Sequence, residues 1–240
     1  MRIFLALIVF LFSTTGLVAQ TSTPKLEIAQ LTGDFYIFKT FNFYKGERIS
    51  ANGMYLVTGA GVVLFDTPWD TTQFQPLLDS INLRHHKKVT LCIATHFHAD
   101  RTGGLEYYKR KGIATYTSLK TDVLSKQRGM NRAAFLLHGD TTFKVGAYIF
   151  QTYFAGAGHT SDNIVIWFEK EKLLYASCLV KSMEDNTLGN LADADVKAYG
   201  ATIRNLQRKF VQPKYVIPGH NDWKNPASLS HTLKMAEALR

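Results

Sequence analysis

The chain has 240 residues, 46% of them hydrophobic and 12% aromatic, with a formal net charge of +9. This is enough for a substantial core in one large domain or two small ones, and the basic balance favours anions. It does not point to nucleic acid: HHKK at 85–88 and the segment with Arg204, Arg208 and Lys209 are scattered, without interleaved aromatic residues or a nucleic-acid motif.

The first twenty residues, MRIFLALIVFLFSTTGLVAQ, put Arg2 ahead of an apolar run from Ile3 to Phe12 and then small and polar residues. This is the layout of a secretory signal peptide, and the run is shorter than the roughly 20 residues that cross a bilayer. Residues 1–20 are expected to be removed and 21–240 to form one domain, with the mature chain starting near Thr21. Removal takes away one basic group, Arg2, and no acid, which leaves +8. Export to the periplasm follows, with no membrane attachment of the mature form. Only Cys92 and Cys178 are present, so a disulfide is the default for an oxidising compartment. Cys92 in VTLCIAT also reads as a buried thiol acting as a small hydrophobe.

KLEIAQLTGDFYIFKTFNFY alternates as strands do, with a turn at Thr32-Gly33-Asp34. MYLVTGAGVVLFDTPW is a second hairpin that turns at Gly59-Ala60-Gly61 and ends at Asp66. TTQFQPLLDSINLR has helical spacing, and KKVTLCIAT is a buried strand that leads into THFHADRTGG. A short helix at GGLEYYKRKG, strand ATYTS and helix LKTDVLSKQRG follow. The second half has strands TTFKVGAYIFQTYFAG and NIVIWFEKEKLLYASC, a helix from Asp195 to Phe210, strand YVIPG and a last helix. Asn225-Pro226 suits the start of that helix, as a capping side chain followed by a proline. Each half runs from antiparallel strands into strand–helix units, so two mixed sheets packed face to face with helices outside would bury these elements.

The chemistry gathers after strand ends, where loops on a rigid scaffold carry sites. His96 and His98 are two apart on a segment read as extended, with Asp100 continuing the alternation, so the three point the same way. Imidazole and carboxylate are zinc ligands, and Gly103 and Gly104 then let the backbone turn into a helix. His159 in FAGAGHTSDN, Cys178 in LLYASCLV and His220 in YVIPGHNDW follow three further strands. Six ligands exceed one tetrahedral zinc but match two sites of three protein ligands each, with open positions for water; spacing alone does not divide them. His85 and His86 lie in a basic solvated stretch, His138 in a polar turn and His231 in the last helix, and these four read as surface or structural.

Taken in order, VLFDTPW, HFHAD, GHTSDN, SCLVKS, LGNL and PGH resemble the metallo-β-lactamase superfamily, and more narrowly subclass B1, over essentially the whole mature chain. Most hydrolases of the wider superfamily have a histidine after the motif aspartate and a later bridging aspartate. Here Arg101 follows Asp100 and a cysteine takes the later place, which favours the lactamase branch over lactonases, thioester hydrolases and phosphodiesterases. The resemblance implies a four-layer αβ/βα sandwich and two Zn2+ ions, one held by His96, His98 and His159, the other by Asp100, Cys178 and His220. It implies a hydrolase that opens the β-lactam amide of penicillins, cephalosporins and carbapenems through a zinc-bound hydroxide oriented by Asp100, and so confers antibiotic resistance; nothing in the sequence demands more than a monomer. No serine nucleophile is needed, and neither Ser161 nor Ser177 belongs to a serine-lactamase motif.

By the same resemblance Lys181 grips the substrate carboxylate, and the Asn190 amide contacts the lactam carbonyl and stabilises an oxyanion. Asp66 reads either as support for the site or as a turn residue. FNFYKGERIS, 41–50, fits a hairpin closing over an apolar ligand, with Trp69 in the same wall. Many relatives have glycines just before the cysteine, where this chain has Ala176-Ser177. The competing readings are a zinc hydrolase of the same fold acting on a lactone or ester, and a non-catalytic metal- or nucleic-acid-binding protein.

Overall fold

The computed structural model describes residues 25–239, so the expected signal peptide, residues 1–20, lies outside the described residues. The first sheet joins β1 (Leu26–Thr32), β2 (Phe35–Tyr44), β3 (Glu47–Thr58), β4 (Gly61–Phe65), β5 (Val89–Ile93), β6 (Ala114–Ser118) and β7 (Phe135–Leu137) in chain order. Its first four strands are antiparallel and the rest parallel. The second sheet, in the order β12-β11-β10-β9-β8, comprises β8 (Thr142–Val145), β9 (Tyr148–Tyr153), β10 (Val165–Phe168), β11 (Leu173–Ser177) and β12 (Tyr215–Pro218). Only β11 and β12 run parallel there, so both sheets are mixed, as the order of elements predicts.

Strand alternation sorts the apolar residues into layers. Met54 and Leu56 of β3, Val63 and Phe65 of β4, Ile166 and Phe168 of β10, and Leu173 and Tyr175 of β11 meet between the sheets. Their neighbours turn outward: Tyr55, Val62 and Leu64 pack under Phe74, Leu77 and Ile81 of α1 (Phe74–His85) and under Leu105 and Tyr108 of α3 (Leu105–Arg110). On the other side Val165, Trp167, Leu174 and Ala176 pack under Tyr199, Ile203 and Leu206 of α5 (Val196–Lys209) and Leu229 of α6 (Ser228–Ala238). Two sheets, each covered by helices on its outer face, form the expected four-layer αβ/βα sandwich.

The helix ends follow capping chemistry. Ser118 accepts the Thr121 N–H at the start of α4 (Leu119–Arg128), and Gly129 closes it in the left-handed conformation at φ 66°. Asp195 caps α5 through the Ala198 N–H. The last helix starts later than its sequence suggests. Asn225 accepts the Ala227 N–H in a preceding turn, and α6 begins at Ser228 with no side-chain cap. A second difference is β7, whose three residues are too few for an alternation pattern to reveal.

The free thiols Cys92 and Cys178 are both buried, so the default disulfide is not formed. His85 is not simply solvated: it is half-buried, its ring lies against Tyr36 and Tyr55, and its Nε2 is 3.1 Å from the Tyr55 hydroxyl. No helix among the described residues is long and apolar enough to cross a membrane.

Gly53 of β3 lies opposite Phe38 of β2, and a Cβ there would come 2.0 Å from the tip of the buried Phe38 ring. Overpacking of this kind costs about 1–3 kcal/mol. Gly53→Ala is expected to lower the unfolding free energy by that amount, seen as a lower urea midpoint with an unchanged m value, and an unchanged midpoint would show that the ring yields freely.

Candidate metal centre

The centre forms where the strand ends of both sheets meet. After β5 the chain continues through His96 and Phe97 to His98, which stands at the N-terminus of the one-turn helix α2 (Ala99–Thr102) in extended conformation. Asp100 therefore does not continue the strand alternation, as the spacing suggests, but rises from the first turn of a helix. A four-residue helix leaves almost no periodic signal. The outcome still brings His96, His98 and Asp100 to one place, with Arg101 beside them.

His96, His98 and His159 present ring nitrogens that lie within 4.8 Å of one another. His98 Nδ1 stands 3.2 Å from His159 Nε2, while its Nε2 faces Asp193 Oδ2 at 3.1 Å. His159 is held by a small cross-braced loop. Asn163 accepts the Thr160 N–H and donates to the Gly156 carbonyl, and Asp162 accepts the Phe97 N–H, which ties this loop to the first histidine pair. Burial, the largest influence, pushes both His96 and His159 well below the ordinary histidine range, so both rings are neutral and keep a lone pair. His96 Nε2 is buried without a hydrogen-bond partner among the described residues. A buried orphan nitrogen facing two other imidazoles fits a metal ion better than an empty polar pocket.

The second donor group is Asp100, Cys178 and His220. Cys178 Sγ is 3.4 Å from Asp100 Oδ2 and 3.2 Å from His220 Nε2, and His220 Nε2 is 3.3 Å from Asp100 Oδ2. Donors about 2.0–2.3 Å from a tetrahedral zinc would be separated by roughly 3.3–3.8 Å, and the observed 3.2–3.4 Å lies at the short end of that spacing, so a shift of a few tenths of an ångström would seat such an ion. The His220 ring is aimed by its Nδ1, which donates to the Ser50 carbonyl at 2.5 Å. Burial would lower its pKa, but Cys178 and the hydrogen bond with Asp100 prevail and hold it at about 9. His96 also reaches the donor atoms of Asp100 and Cys178 within 4.8 Å, so the two groups are contiguous.

Beneath these donors lies Arg101, entirely buried. One terminal nitrogen donates to the Asn52 carbonyl at 2.6 Å and faces Asp66 Oδ2 at 3.4 Å. The other lies 2.9 Å from Asp100 Oδ2, 2.9 Å from Cys178 Sγ and 2.8 Å from the Gly219 carbonyl. Burial alone would raise the Asp100 pKa; the guanidinium outweighs it, so the carboxylate sits well below its usual range and stays ionised. Asp66 accepts from the Thr95 N–H and from the Tyr175 and Ser177 hydroxyls, at 2.7 to 2.9 Å, and its Oδ2 lies 3.0 Å from the Thr95 hydroxyl oxygen. It is a structural anchor for the site, which resolves the two readings of its sequence context.

Ser177, just before Cys178, has φ 50°, in the left-handed region that favours glycine. The serine hydroxyl here bonds Asp66 and receives the Thr95 hydroxyl, interactions that glycine lacks. Asp66 and Asn221 also have positive φ, at 65° and 61°, so strained backbone marks three ends of the site.

Lys181 is buried, and its Nζ donates to the Cys178 carbonyl at 2.9 Å. A Cβ added at Gly189 would stand 4.0 Å from that Nζ, which brings the LGNL turn next to the lysine. Asn190 itself is exposed, and its side-chain oxygen accepts the Ala192 N–H. The Trp69 ring packs 6.0 Å from that of His220. The 41–50 segment is the β2–β3 hairpin with Phe43 71% exposed at its end, an apolar side chain left without cover.

Sequence reasoning missed Asp193 on His98, Asp162 on the Phe97 amide, and Asn52. The Asn52 side chain donates to the Pro218 and Asn221 carbonyls, which fixes the segment with His220. The acidic pair in LADAD was a usable signal for Asp193; nothing local marks an asparagine inside a strand.

A family model described as Metallo-beta-lactamase superfamily matches residues 48–220. The chain is 41% identical over 229 residues to metallo-beta-lactamase type 2 of Elizabethkingia meningoseptica, covering 95% of this chain and 92% of that one. It is 34% identical over 218 residues to metallo-beta-lactamase type 2 of Bacillus cereus, covering 91% and 85%. Among solved structures it resembles metallo-beta-lactamase IND-7 at TM-score 0.86 and 38% identity, over 90% of this chain and all of the other. A metallo-beta-lactamase from Pontibacter korlensis also gives 0.86, at 34% identity, over 88% and 99%.

Removing Asp66 strips Arg101, Thr95, Tyr175 and Ser177 of a shared acceptor. Breaking a buried pair in this way costs about 3–5 kcal/mol. Asp66→Ala is expected to lose that much stability in denaturant unfolding, and a loss under 1 kcal/mol would show that Arg101 is held without it.

Proposed function

Because this chain belongs to the metallo-β-lactamase superfamily, among its subclass B1 members, we propose that it is an exported zinc β-lactamase opening the amide ring of penicillins, cephalosporins and carbapenems. The observation that carries this reading is the meeting of His96, His98 and His159 with Asp100, Cys178 and His220 at one edge between the sheets. Two zinc ions fit these donors, three protein ligands to each. Zinc bound there would lower the pKa of a coordinated water to about 7 and polarise a carbonyl.

The chain's own residues supply the rest. Neutral His96 and His159 offer lone pairs without giving up a proton first, so metal binding there competes with no bound proton at neutral pH. Asp100, kept ionised by Arg101, is a carboxylate able to orient the attacking water. The Lys181 ammonium is the point charge for the substrate carboxylate. Its hydrogen bond to the Cys178 carbonyl holds it, buried, beside the donor cluster, where it can meet an incoming anion. Asn190, on the turn beside Lys181, supplies an amide for the lactam carbonyl. Trp69 and the exposed Phe43 of the β2–β3 hairpin give apolar surface to cover the rest of the substrate and exclude water. The net charge of +8 after signal removal steers anionic antibiotics inward. Residues 1–20 act as the signal and 21–240 as one monomeric, periplasmic domain.

Purified protein loaded with zinc is expected to hydrolyse nitrocefin and a carbapenem, to stop on chelation and to recover with added zinc. Cys178→Ser should lose about one metal equivalent and most turnover. Lys181→Ala should raise KM roughly tenfold to hundredfold, or about 1.4–2.7 kcal/mol, for substrates bearing the carboxylate. Bound zinc without turnover of either compound would redirect the reading to lactones and esters. Mass spectrometry of protein from a periplasmic fraction should find an N-terminus near Thr21, and an intact Met1 would refute export with cleavage.

A further inference from the structure

We propose that Arg128 is a positioning residue for His98, acting through Asp193. This rests on the metal-centre reading above and extends it to a residue that touches no donor atom.

Asp193 has both carboxylate oxygens engaged: Oδ2 faces His98 Nε2 at 3.1 Å, and Oδ1 accepts from an Arg128 terminal nitrogen at 2.9 Å. A carboxylate held at one oxygen can swing about the other contact, whereas one held at both is fixed in rotation. It then fixes the plane of the imidazole it faces. With Nε2 turned to Asp193, His98 presents Nδ1 to His159, which is the direction the donor cluster requires. Outer partners of this kind orient a ligating histidine and set its tautomer.

Arg128 also lies over Phe97, its guanidinium 5.8 Å from the ring centroid. Phe97 separates His96 from His98, so one side chain from the end of α4 bears on both the histidine segment and the loop that holds Asp193. A basic residue in the last turn of a helix is favoured by the helix dipole alone, and Lys126 satisfies that role as well. The dipole does not explain why the guanidinium reaches across to Asp193. The pair is partly exposed, at 56% and 20% for the side chains, so its contribution to global stability is small and its effect falls on local geometry.

The test measures zinc affinity by competition with a chromophoric chelator, and the visible spectrum of the cobalt-substituted protein, for four variants. Asp193→Ala should weaken the histidine site by about tenfold to hundredfold. Arg128→Ala should weaken it by roughly threefold to tenfold, a smaller loss because Asp193 stays in place, and Arg128→Lys should recover part of the loss. Arg128→Ala in the Asp193→Ala background should change nothing further. The cobalt ligand-field bands should shift in Arg128→Ala while the charge-transfer band from the Cys178 sulfur stays unchanged, and a merely structural role would not separate the two. Wild-type affinity in Arg128→Ala, or the same loss with and without Asp193, would overturn the proposal. Parent protein that binds neither zinc nor cobalt would instead overturn the metal reading, and this inference with it.

Discussion

A guanidinium without water must find acceptors in the protein, and Arg101 finds them on five segments at once. Asn52 comes from β3, Asp66 from the end of β4, Asp100 from α2, Cys178 from the end of β11 and Gly219 from the end of β12. Desolvating such a cation is costly, and the protein offsets it by surrounding the group with negative and carbonyl partners. Those partners hold Arg101 well above its ordinary pKa even though burial acts in the opposite direction. The arrangement sets the spacing of the donors, because Asp100 and Cys178 both approach the same terminal nitrogen. Asp100, Cys178 and His220 thus converge on a common cation built into the chain, and the two sheets are joined at the site by polar contacts as well as by the apolar layer behind it.

The layered fold is readable because both sheets show the period-two rule in nearly every strand. Buried neighbours such as Met54 and Tyr55, or Leu173 and Leu174, turn to opposite faces and need opposite partners. The donors are readable for a related reason: His96, Cys178 and His220 come within three residues of the end of an apolar strand, and histidine or cysteine at such a place has few structural uses. The pieces that escaped are those whose role depends on a distant partner. Asn52 looks like any strand residue until Pro218 and Asn221 are brought beside it. Arg128 looks like a helix-terminal charge until Asp193 is seen across from it. The placement of Asp100 in a helical turn was hidden by the brevity of α2, and β7 by its own shortness.

Ser177 shows how one backbone demand admits two chemical answers. Its left-handed conformation is costly for any side chain with a Cβ, and glycine meets the demand by having none. The serine accepts the strain and offsets it with a hydroxyl in the Asp66 network. The strain and the network are therefore coupled, since a change at Asp66 also removes the bond that compensates Ser177.

The acceptors of Arg101 are far apart along the chain: Asn52 lies 49 residues before it and Gly219 lies 118 after. A nascent chain is made from its N-terminus, so β3, β4 and α2 exist long before β11 and β12. Until β11 and β12 dock, the guanidinium lacks two of its partners and Asn52 lacks the carbonyls its side chain serves. Contacts of such long sequence separation close late, after the entropy of joining distant segments has been spent. The centre is thus completed late, since a chain that stops before β12 holds His96, His98, His159, Asp100 and Cys178 but lacks His220 and the Gly219 carbonyl that closes the surroundings of Arg101.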